Sequence, residues 1–205
     1  MIGVVNTGRG NVASVLNMFR AVGVDAALVD NRDVLRRASK LVLPGVGSFD
    51  AGMSGLRSSG LLEVLIERVM QERVPVLGLC LGMQLFARRS EEGTTPGLGW
   101  IDAEVRRLIL PPGQSGLKLP HMGWNTIEIR QEHPLLFGFD GIPRFYFVHS
   151  YHVCCDDRTD VLATGTHGEE FAAAIAHGNI MGTQFHPEKS HKFGMRLLRN
   201  FAERV

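Results

Sequence analysis

The first half of the chain alternates short apolar runs with segments in which apolar residues recur at helical spacing. The apolar runs are IGVV (2–5), AALV (26–29), LVLP (41–44) and VPVLGLC (74–80). The helical spacing predicts helices over 12–22, 32–39, 61–70 and 82–93, and the glycine-rich PGVGSFDAGM (44–53) is expected to be a loop. Strands that are apolar at every position are typical of a mostly parallel sheet that helices cover on both faces.

The second half carries strand patterns separated by short loops. These patterns cover 98–109, 124–130, 145–155, 161–166 and 171–185. Because short loops join neighbouring antiparallel strands, we expect a mixed sheet with an additional antiparallel part. A last amphipathic helix is predicted from His191 to Arg204. Residues 1–205 contain no repeat and no obvious linker, and are expected to form one α/β domain.

Charge and hydropathy argue against nucleic acid and membranes as binding partners. The 205 residues include 22 Lys and Arg against 21 Asp and Glu, a net charge of +1. No basic stripe is present, so nothing indicates binding to nucleic acid or to an anionic membrane. The first apolar run is too short for a signal peptide, and no run approaches the roughly 20 residues of a membrane span. We therefore expect a soluble, cytoplasmic protein.

The three cysteines, an odd number, argue against a disulfide framework. Cys154 and Cys155 lie in an alternating stretch and are interpreted as half-buried core positions on opposite faces of a strand. A zinc site would need cysteine or histidine pairs at ligand spacing, and none is present. Zinc deaminases share the His-x-Glu pattern of His186 and Glu188, but they need a later Pro-Cys-x-x-Cys, and no cysteine follows Cys155. No metal is expected.

The third cysteine stands between two glycines in GLCLG (78–82), where a predicted buried strand meets a predicted helix. This is the context of a nucleophile elbow, in which the glycines let strand and helix approach closely. Cys80 would lie at a helix N-terminus, which favours a thiolate, and at the carboxyl end of a parallel strand, where open α/β sheets carry their sites. The spacing alone fits a small buried cysteine equally well, so a catalytic Cys80 needs a base.

His186 is the candidate for that base among eight histidines. Pro187 disfavours a helical conformation for the residue before it, and Glu188 is close enough for its carboxylate to meet the imidazole. A carboxylate on one ring nitrogen fixes the tautomer and leaves the other nitrogen for a thiol. Alone, this segment would be interpreted as a strand-ending turn with a solvated glutamate. Together with the cysteine elbow, it favours a hydrolytic triad of Cys80, His186 and Glu188.

A nucleophile of this kind also needs an oxyanion hole. The loop PGVG (44–47) follows a predicted strand at the same sheet edge as Cys80, and Gly45 and Gly47 would let the backbone turn and expose its N–H groups. An ordinary connection between strand and helix is the alternative. The five glycines between residues 45 and 60 favour a functional loop.

Three segments, LVLPGVGSFDAGM (41–53), GLCLGMQ (78–84) and QFHPEKS (184–190), resemble in order and spacing the class I (triad) glutamine amidotransferases, over essentially the whole chain. The resemblance implies a flavodoxin-like α/β fold and no cofactor. It also implies that Cys80 attacks the side-chain amide of glutamine, forms a γ-glutamyl thioester and releases ammonia. His186 would act as base and then acid, and Glu188 would orient it. The oxyanion strand would be Gly45, Val46 and Gly47.

By the same resemblance, the substrate glutamine would be held by Gln84, by Glu92 and by the backbone around His149, Ser150 and Tyr151. Gln84 follows Cys80 by four residues, about one helical turn, so both can reach one site. Glu92 is the candidate for binding the ammonium group of the substrate. Its neighbour Glu91 is the alternative candidate for any role that needs a negative charge.

Three further segments resemble one branch of the family, the glutaminase subunits of imidazole glycerol phosphate synthase in histidine biosynthesis: NTGRGN (6–11), LPHMGWN (119–125) and YFVHSYH (146–152). Asn6 departs from the expected Asp, away from the triad. The branch implies a heterodimer with a cyclase subunit folded as a (β/α)8 barrel, which converts the ammonia and its own substrate into imidazole glycerol phosphate and the carboxamide ribotide AICAR. Asn11, Trp124 and Lys189 are candidates for contact with that partner, and a core position is the alternative for Trp124.

Three other functions remain open. The first is a glutaminase component for anthranilate or guanylate synthesis, against which Met83 and the last two segments argue. The second is a cysteine peptidase or γ-glutamyl hydrolase, which should act alone and accept γ-glutamyl peptides. The third is a non-catalytic binding domain, which would lack a triad member, whereas all three positions are filled.

Overall fold

The structure is a computed structural model that describes residues 1–8, 10–113, 116–139 and 141–205. Its strands are β1 (Ile2–Val5), β2 (Ala26–Val29), β3 (Lys40–Gly45), β4 (Val76–Cys80), β5 (Arg89–Ser90), β6 (Ala103–Arg107), β7 (His121–Thr126), β8 (Glu128–Ile129), β9 (Arg144–His149), β10 (Tyr151–Cys155), β11 (Val161–His167), β12 (Glu169–His177) and β13 (Ile180–Thr183). Its α-helices are α1 (Val12–Ala21), α2 (Arg32–Arg37), α3 (Phe49–Ser58), α4 (Leu62–Ile66), α5 (Leu81–Gln84) and α6 (His191–Arg204). A π-helical turn, Glu67–Gln71, extends α4, and a 3₁₀ turn, Pro187–Lys189, precedes α6.

Eight strands form the central sheet in the order β2-β1-β3-β4-β13-β12-β11-β8. The strands from β2 to β13 pair in parallel, and β12, β11 and β8 continue the sheet in antiparallel pairing. The predicted mostly parallel sheet with an antiparallel part is therefore confirmed. Two smaller sheets, β10-β6-β5 and β7-β9, complete the described strands.

Alternate residues of the buried strands supply two apolar cores on opposite faces of the sheet. In β3, Leu41 and Leu43 pack toward the core that also contains α2, α3 and α4, and Val42 packs toward the core that contains α1 and α6. Both faces of the strand are buried because helices lie on each side. This explains why the strand is apolar throughout rather than alternating.

The segment 44–53 differs from the predicted loop, since its second half is the first turn of α3. Phe49, Met53 and Leu56 recur at helical spacing and are buried, and this burial stabilises the helix. The N-terminus of α3 is capped from a distance, because a carboxylate oxygen of Glu92 accepts a 2.8 Å hydrogen bond from the N–H of Phe49. The loop between β3 and α3 therefore comprises only residues 46–48.

The helix predicted over 82–93 is wrong beyond its first turn. Helix α5 ends at Gln84, and the two-residue strand β5 follows. The carbonyl oxygens of residues 85–88 accept hydrogen bonds from the N–H groups of residues 97–100, so they are not available to continue a helix. Gly97 allows this close approach, since a Cβ there would lie 2.1 Å from the carbonyl oxygen of Ala87.

Within the described ranges, we find no helix with the length and apolar character that crossing a membrane would require.

Candidate active site

Cys80 occupies a strained turn between β4 and α5. Its φ of 53° lies in the left-handed region that residues other than glycine rarely adopt, and its side chain is buried. Such strain at a buried cysteine is typical of a functional site held in place by its surroundings. The helix that follows has only four residues. Its dipole therefore stabilises a thiolate at Cys80 only slightly, less than the sequence predicted.

The glycines around Cys80 are required by close packing. A Cβ at Gly82 would lie 1.8 Å from the carbonyl oxygen of Leu43, and one at Gly78 would lie 2.5 Å from the backbone nitrogen of Met83. Gly45 lies beside Cys80 in the β3–β4 pairing, and a Cβ there would lie 2.8 Å from the backbone nitrogen of Gly82. The G-x-C-x-G pattern thus lets strand β3 contact the elbow backbone directly.

His186 comes next to Cys80 in the cavity because β13, which precedes it, pairs in parallel with β4. His186 Nδ1 lies 2.9 Å from Glu188 Oε1, and both side chains are buried. His186 Nε2 and Glu188 Oε2 make no hydrogen bond among the described residues. Burial lowers the pKa of His186, but the interactions of the ring with nearby Cys80 and with Glu188 outweigh burial and raise the pKa to about 10.

A network of backbone contacts fixes the turn that carries His186. The hydroxyl of Ser190 donates to the carbonyl oxygen of His186 at 2.6 Å and accepts from the N–H of Tyr146 at 3.0 Å. The N–H of His186 donates to the carbonyl oxygen of Tyr146 at 2.9 Å. Helix α6 presses on this turn at Gly194, where a Cβ would lie 1.8 Å from the carbonyl oxygen of Pro187. The ring is therefore positioned by β9 and α6 as well as by its own strand.

A small cavity of about 190 Å³ joins most of the predicted site residues. It is lined by Val46, Gly47, Cys80, Leu81, Gln84, Glu92, Val148, His149, Ser150, Tyr151 and His186. Gly47 has a φ of 99°, which requires glycine. Gly45 does not line the cavity but packs against the elbow. Of the predicted oxyanion residues, Val46 and Gly47 are thus the ones that line the cavity with Cys80.

The carboxylates of Glu91 and Glu92 have different positions. Glu92 lines the cavity, and its carboxylate caps α3 at Phe49, directly after the loop 46–48. Glu91 accepts a 2.8 Å hydrogen bond from the N–H of Arg107 and is not part of the cavity lining. The geometry separates the two neighbours, which the sequence left open.

His149 contributes to the cavity wall but is not free to act as a base. Its Nδ1 lies 2.9 Å from the carbonyl oxygen of Tyr151, and its Nε2 lies 2.9 Å from Nδ1 of His121. The next contact of His121 is from its Nε2 to the side-chain amide of Asn125, at 3.2 Å. Burial lowers the pKa of His149 to about 3 and the pKa of His121 to about 4. The two neutral rings brace the strand that forms the wall.

The residues expected at a partner surface lie outside the cavity. Trp124 is 45% exposed, so it is not a core residue, and it stacks on His191 with 5.5 Å between ring centroids. The Nζ of Lys189 lies 5.5 Å above the ring of Tyr146. Asn11 immediately precedes α1 and follows Gly10, whose Cβ position is 3.1 Å from the carbonyl oxygen of Pro44. In the segment 6–11, Arg9 lies outside the described residues.

The remaining cysteines are half-buried in β10, as interpreted from the alternating pattern. Burial raises the pKa of Cys154, and it raises the pKa of Cys155 to about 12, so both thiols are protonated at neutral pH. Over the described ranges, no group of three or more His, Cys, Asp or Glu side chains forms a metal site.

Two residues outside the predicted set contact members of the predicted triad. Ser190 supports His186, and Gln184 places its side-chain Nε2 3.6 Å from Sγ of Cys80. A signal for Gln184 was present, since it is a polar residue inside the apolar stretch that leads to His186. Its contact with Cys80 could not be predicted, because it depends on the pairing of β13 with β4.

Comparison with protein families gives one match over nearly the whole chain. The model of glutamine amidotransferase class-I matches residues 3–205. Two relatives match over the full length of both chains: imidazole glycerol phosphate synthase subunit HisH 2 of Pseudomonas aeruginosa, at 53% identity, and the subunit of the same name from Methanococcus maripaludis, at 45%.

Solved structures of low sequence identity share the fold. A glutamine amidotransferase superposes with a TM-score of 0.74 at 21% identity, covering 98% of this chain and 97% of the other. A glutamine amidotransferase from Thermotoga maritima superposes with a TM-score of 0.60 at 19% identity, covering 98% and 81%. The α/β architecture with its mixed sheet is therefore common to all three.

Proposed function

The chain belongs to the class I glutamine amidotransferase family, and from this membership and the site we propose that it is the glutaminase subunit of an imidazole glycerol phosphate synthase. It hydrolyses glutamine to glutamate and ammonia through a thioester on Cys80. The ammonia passes to a cyclase partner, which forms imidazole glycerol phosphate and AICAR in histidine biosynthesis. The identity of 53% over the full length to a subunit of that name supports this branch of the family.

The arrangement of His186 carries the proposal for the chemistry. One ring nitrogen faces a buried carboxylate at 2.9 Å, and the other has no hydrogen-bond partner among the described residues, in a cavity shared with Cys80. The imidazole, whose pKa is raised to about 10, is the group that accepts the proton of the thiol. The result is a thiolate beside an imidazolium, which Glu188 stabilises.

Glutamine is held with its side-chain amide beside Cys80. Glu92 binds the α-ammonium group, and Gln84 and the backbone of residues 149–151 hold the rest of the amino acid. Thiolate sulfur attacks the amide carbon, and the developing oxyanion is stabilised by N–H groups of the oxyanion strand, chiefly Val46 and Gly47. His186 then donates its proton to the departing nitrogen, and ammonia leaves.

In the hydrolysis of the thioester, His186 acts as a base again, after having acted as an acid toward the leaving nitrogen. His186 takes a proton from a water molecule as the water attacks the thioester carbon, and the tetrahedral intermediate expels the thiolate. Glutamate is released and the ion pair is restored. No step of this sequence needs a cofactor, since all protons move through His186.

The partner is a cyclase subunit with a (β/α)8 barrel, in a heterodimer within the cytoplasm. Trp124, Lys189 and Asn11 contact it. Support comes from the exposure of Trp124 and from its position on the segment next to the turn of His186, where a docked partner can influence the site. The whole chain acts as one glutamine amidotransferase domain.

The test is Cys80→Ala in the assembled complex with a cyclase subunit. Glutamine-dependent synthesis should be lost, because no other group forms the thioester. Synthesis from added ammonium salt should be retained, because the cyclase site is separate. Loss of both activities would show that Cys80 is structural, and turnover of glutamine by the variant would remove it from the mechanism.

Cavity size argues against a γ-glutamyl hydrolase or peptidase. The volume of about 190 Å³ is below the roughly 300–1,000 Å³ typical of small-molecule sites and suits a single amino acid. Incubation with γ-glutamyl peptides in the absence of a partner distinguishes the two activities: a hydrolase turns them over, whereas a glutaminase subunit does not.

A further inference from the structure

Gln184 places a hydrogen-bond donor on the nucleophile of the site. It follows β13 directly, two residues before His186, and its side chain is fully buried. Its Nε2 lies 3.6 Å from Sγ of Cys80, within the range of an N–H···S hydrogen bond. The side chain thus approaches the sulfur from a strand other than the one that carries Cys80.

The orientation of this amide is fixed by its neighbours. Gln84 donates through Nε2 to the carbonyl oxygen of Tyr151 at 3.0 Å and to Oε1 of Gln184 at 3.1 Å. A backbone carbonyl can only accept, so the amino group of Gln84 must face Tyr151 and Gln184. Gln184 therefore turns its oxygen toward Gln84 and its amino group toward the sulfur. Its backbone N–H donates to Ala173 at 2.9 Å, which anchors the residue in the sheet.

We propose that Gln184 stabilises the thiolate of Cys80 by donating an N–H hydrogen bond to its sulfur, oriented by Gln84. A hydrogen bond to a charged acceptor is stronger than one to a neutral acceptor, so the donor favours the thiolate over the thiol. The four-residue helix α5 supplies little dipole, and the carbonyl oxygen of Val148, 3.9 Å from the sulfur, opposes negative charge there. Gln184 offsets that carbonyl on a sulfur that is buried from water.

This inference rests on the proposed function in one respect, since it takes Cys80 as the nucleophile. It adds a second task to Gln84, which orients Gln184 while it contributes to the wall of the substrate cavity. The strand that holds the substrate is then linked through Tyr151, Gln84 and Gln184 to the sulfur. Movement of that strand changes the stabilisation of the thiolate as well as the binding of glutamine.

The experiment measures the rate of Cys80 alkylation by iodoacetamide against pH, with the modified peptide identified by mass spectrometry. Gln184→Met keeps the length of the side chain and removes the donor. Its alkylation midpoint should lie higher than that of the wild type by about one pH unit, a tenfold lower rate at pH values below both midpoints. Gln184→Glu, of the same shape, places a carboxylate at the sulfur and should raise the midpoint further.

Gln131→Met is the matched control, because Gln131 donates from its amide to the carbonyl oxygens of Thr159 and Val161, away from the site. Its alkylation midpoint should equal that of the wild type. A midpoint unchanged in Gln184→Met and in Gln184→Glu, with native circular dichroism in either, would overturn the proposal. Alkylation reports on the thiol alone, so this result is independent of whether glutamine proves to be the substrate.

Discussion

Ser190 donates a 2.6 Å hydrogen bond from its hydroxyl to the carbonyl oxygen of His186, and the same hydroxyl accepts from the N–H of Tyr146. Ser190→Ala leaves a buried N–H without its partner and weakens the support of the candidate base. We expect the free energy of unfolding to fall by about 1–3 kcal/mol. Glutamine turnover should fall at least about tenfold, because a base displaced from its geometry loses efficiency.

Urea unfolding and steady-state glutaminase assays with the partner measure both effects. Ser58→Ala is the control, since the exposed hydroxyl of Ser58 donates to the carbonyl oxygen of Gly55 in its own helix. It should change the free energy of unfolding by less than about 0.5 kcal/mol. Full activity in Ser190→Ala would mean that the turn holds His186 without this hydroxyl.

Gly82→Ala should prevent the elbow from forming. The added Cβ would lie 1.8 Å from the carbonyl oxygen of Leu43, a backbone atom that cannot move alone. We expect a loss of at least about 4 kcal/mol of folding free energy, or no folded protein at all. Gly60→Ala serves for comparison: its φ is +70° with no atom within 4 Å of the Cβ position, so backbone strain of about 1 kcal/mol is the whole cost. Equal thermal stability of the two variants would contradict the packing explanation.

His186→Ala should lower glutamine turnover by several orders of magnitude, because members of a triad act as a unit. Glu188→Gln should cost less, since Glu188 only orients and stabilises the imidazolium. The measurement is kcat for glutamine in the complex, with ammonium-dependent synthesis as the control for a folded partner site. A Glu188→Gln variant with wild-type kcat would remove Glu188 from the mechanism.

Val46→Pro removes one N–H from the oxyanion strand. Removal of a single oxyanion donor typically costs a factor of about a hundred or more, so stimulated glutaminase activity should fall by that amount. We expect the wild-type chain to be nearly idle alone and fastest with the cyclase partner and its ligand, because the partner biases the orientation of this strand. Rates of the chain alone, with partner, and with partner plus ligand test this.

Alkylation of Cys80 should proceed in Val46→Pro, which shows that the site remains open. If the variant is stimulated as the wild type is, the donor lies elsewhere, and equal rates of the wild type in all three samples would rule out gating.

The pair of His121 and His149 should make the protein less stable in acid. Their pKa values in the folded state, about 4 and 3, lie below the ordinary 6.5, so below pH 6.5 the unfolded chain binds protons that the native rings do not. The stability is present above pH 6.5 and is lost as the pH falls toward 4 and 3. Each histidine contributes a slope of about 1.4 kcal/mol per pH unit in that window.

His121→Asn retains a donor for His149 and removes one titrating ring. Between pH 6 and pH 5, its free energy of unfolding in urea should fall less steeply than that of the wild type, by about 1 kcal/mol per pH unit. His186 does not contribute there, because with its raised pKa it is charged in both states below pH 6.5. Identical slopes in the two proteins would show that His121 is protonated in the folded state.

The sequence predicted the features that depend on local pattern. The parallel strands, helix α6 from His191 to Arg204 and the strained turn at Cys80 follow from periodicity and from glycine spacing. Helix α5 was predicted too long, because nothing in 82–93 reveals that the carbonyl oxygens of residues 85–88 bond to residues 97–100. Helix α3 as a whole was not predicted, because the glycines of 44–53 indicated a loop and because its cap comes from Glu92, which is 43 residues away from Phe49 in sequence.

The same distinction applies to the candidate site. Cys80, His186 and Glu188 could be proposed as a triad because each stands in a motif with a local conformational meaning. The roles of Ser190, Gln184 and His121 depend on strand pairing and on packing between segments far apart in the chain, which residue types alone do not encode. Glu91 and Glu92 illustrate what residue type alone cannot predict. They are neighbours of equal charge, but the carboxylate of Glu91 accepts a hydrogen bond from the N–H of Arg107, and that of Glu92 accepts one from the N–H of Phe49.

The contact of Gln184 with Cys80 joins residues 104 positions apart, so the two halves of the chain must both be in place before the sulfur acquires its reactive surroundings. Pairings of such long range are slow to form, because the entropy of closing a long loop must be lost first. A chain that is still being synthesised lacks the segment 184–190, so Cys80 is then without the contacts that we propose activate it. We therefore expect no glutamine hydrolysis from such a nascent chain, and the alkylation rate of Cys80 during refolding should report when β13 pairs with β4.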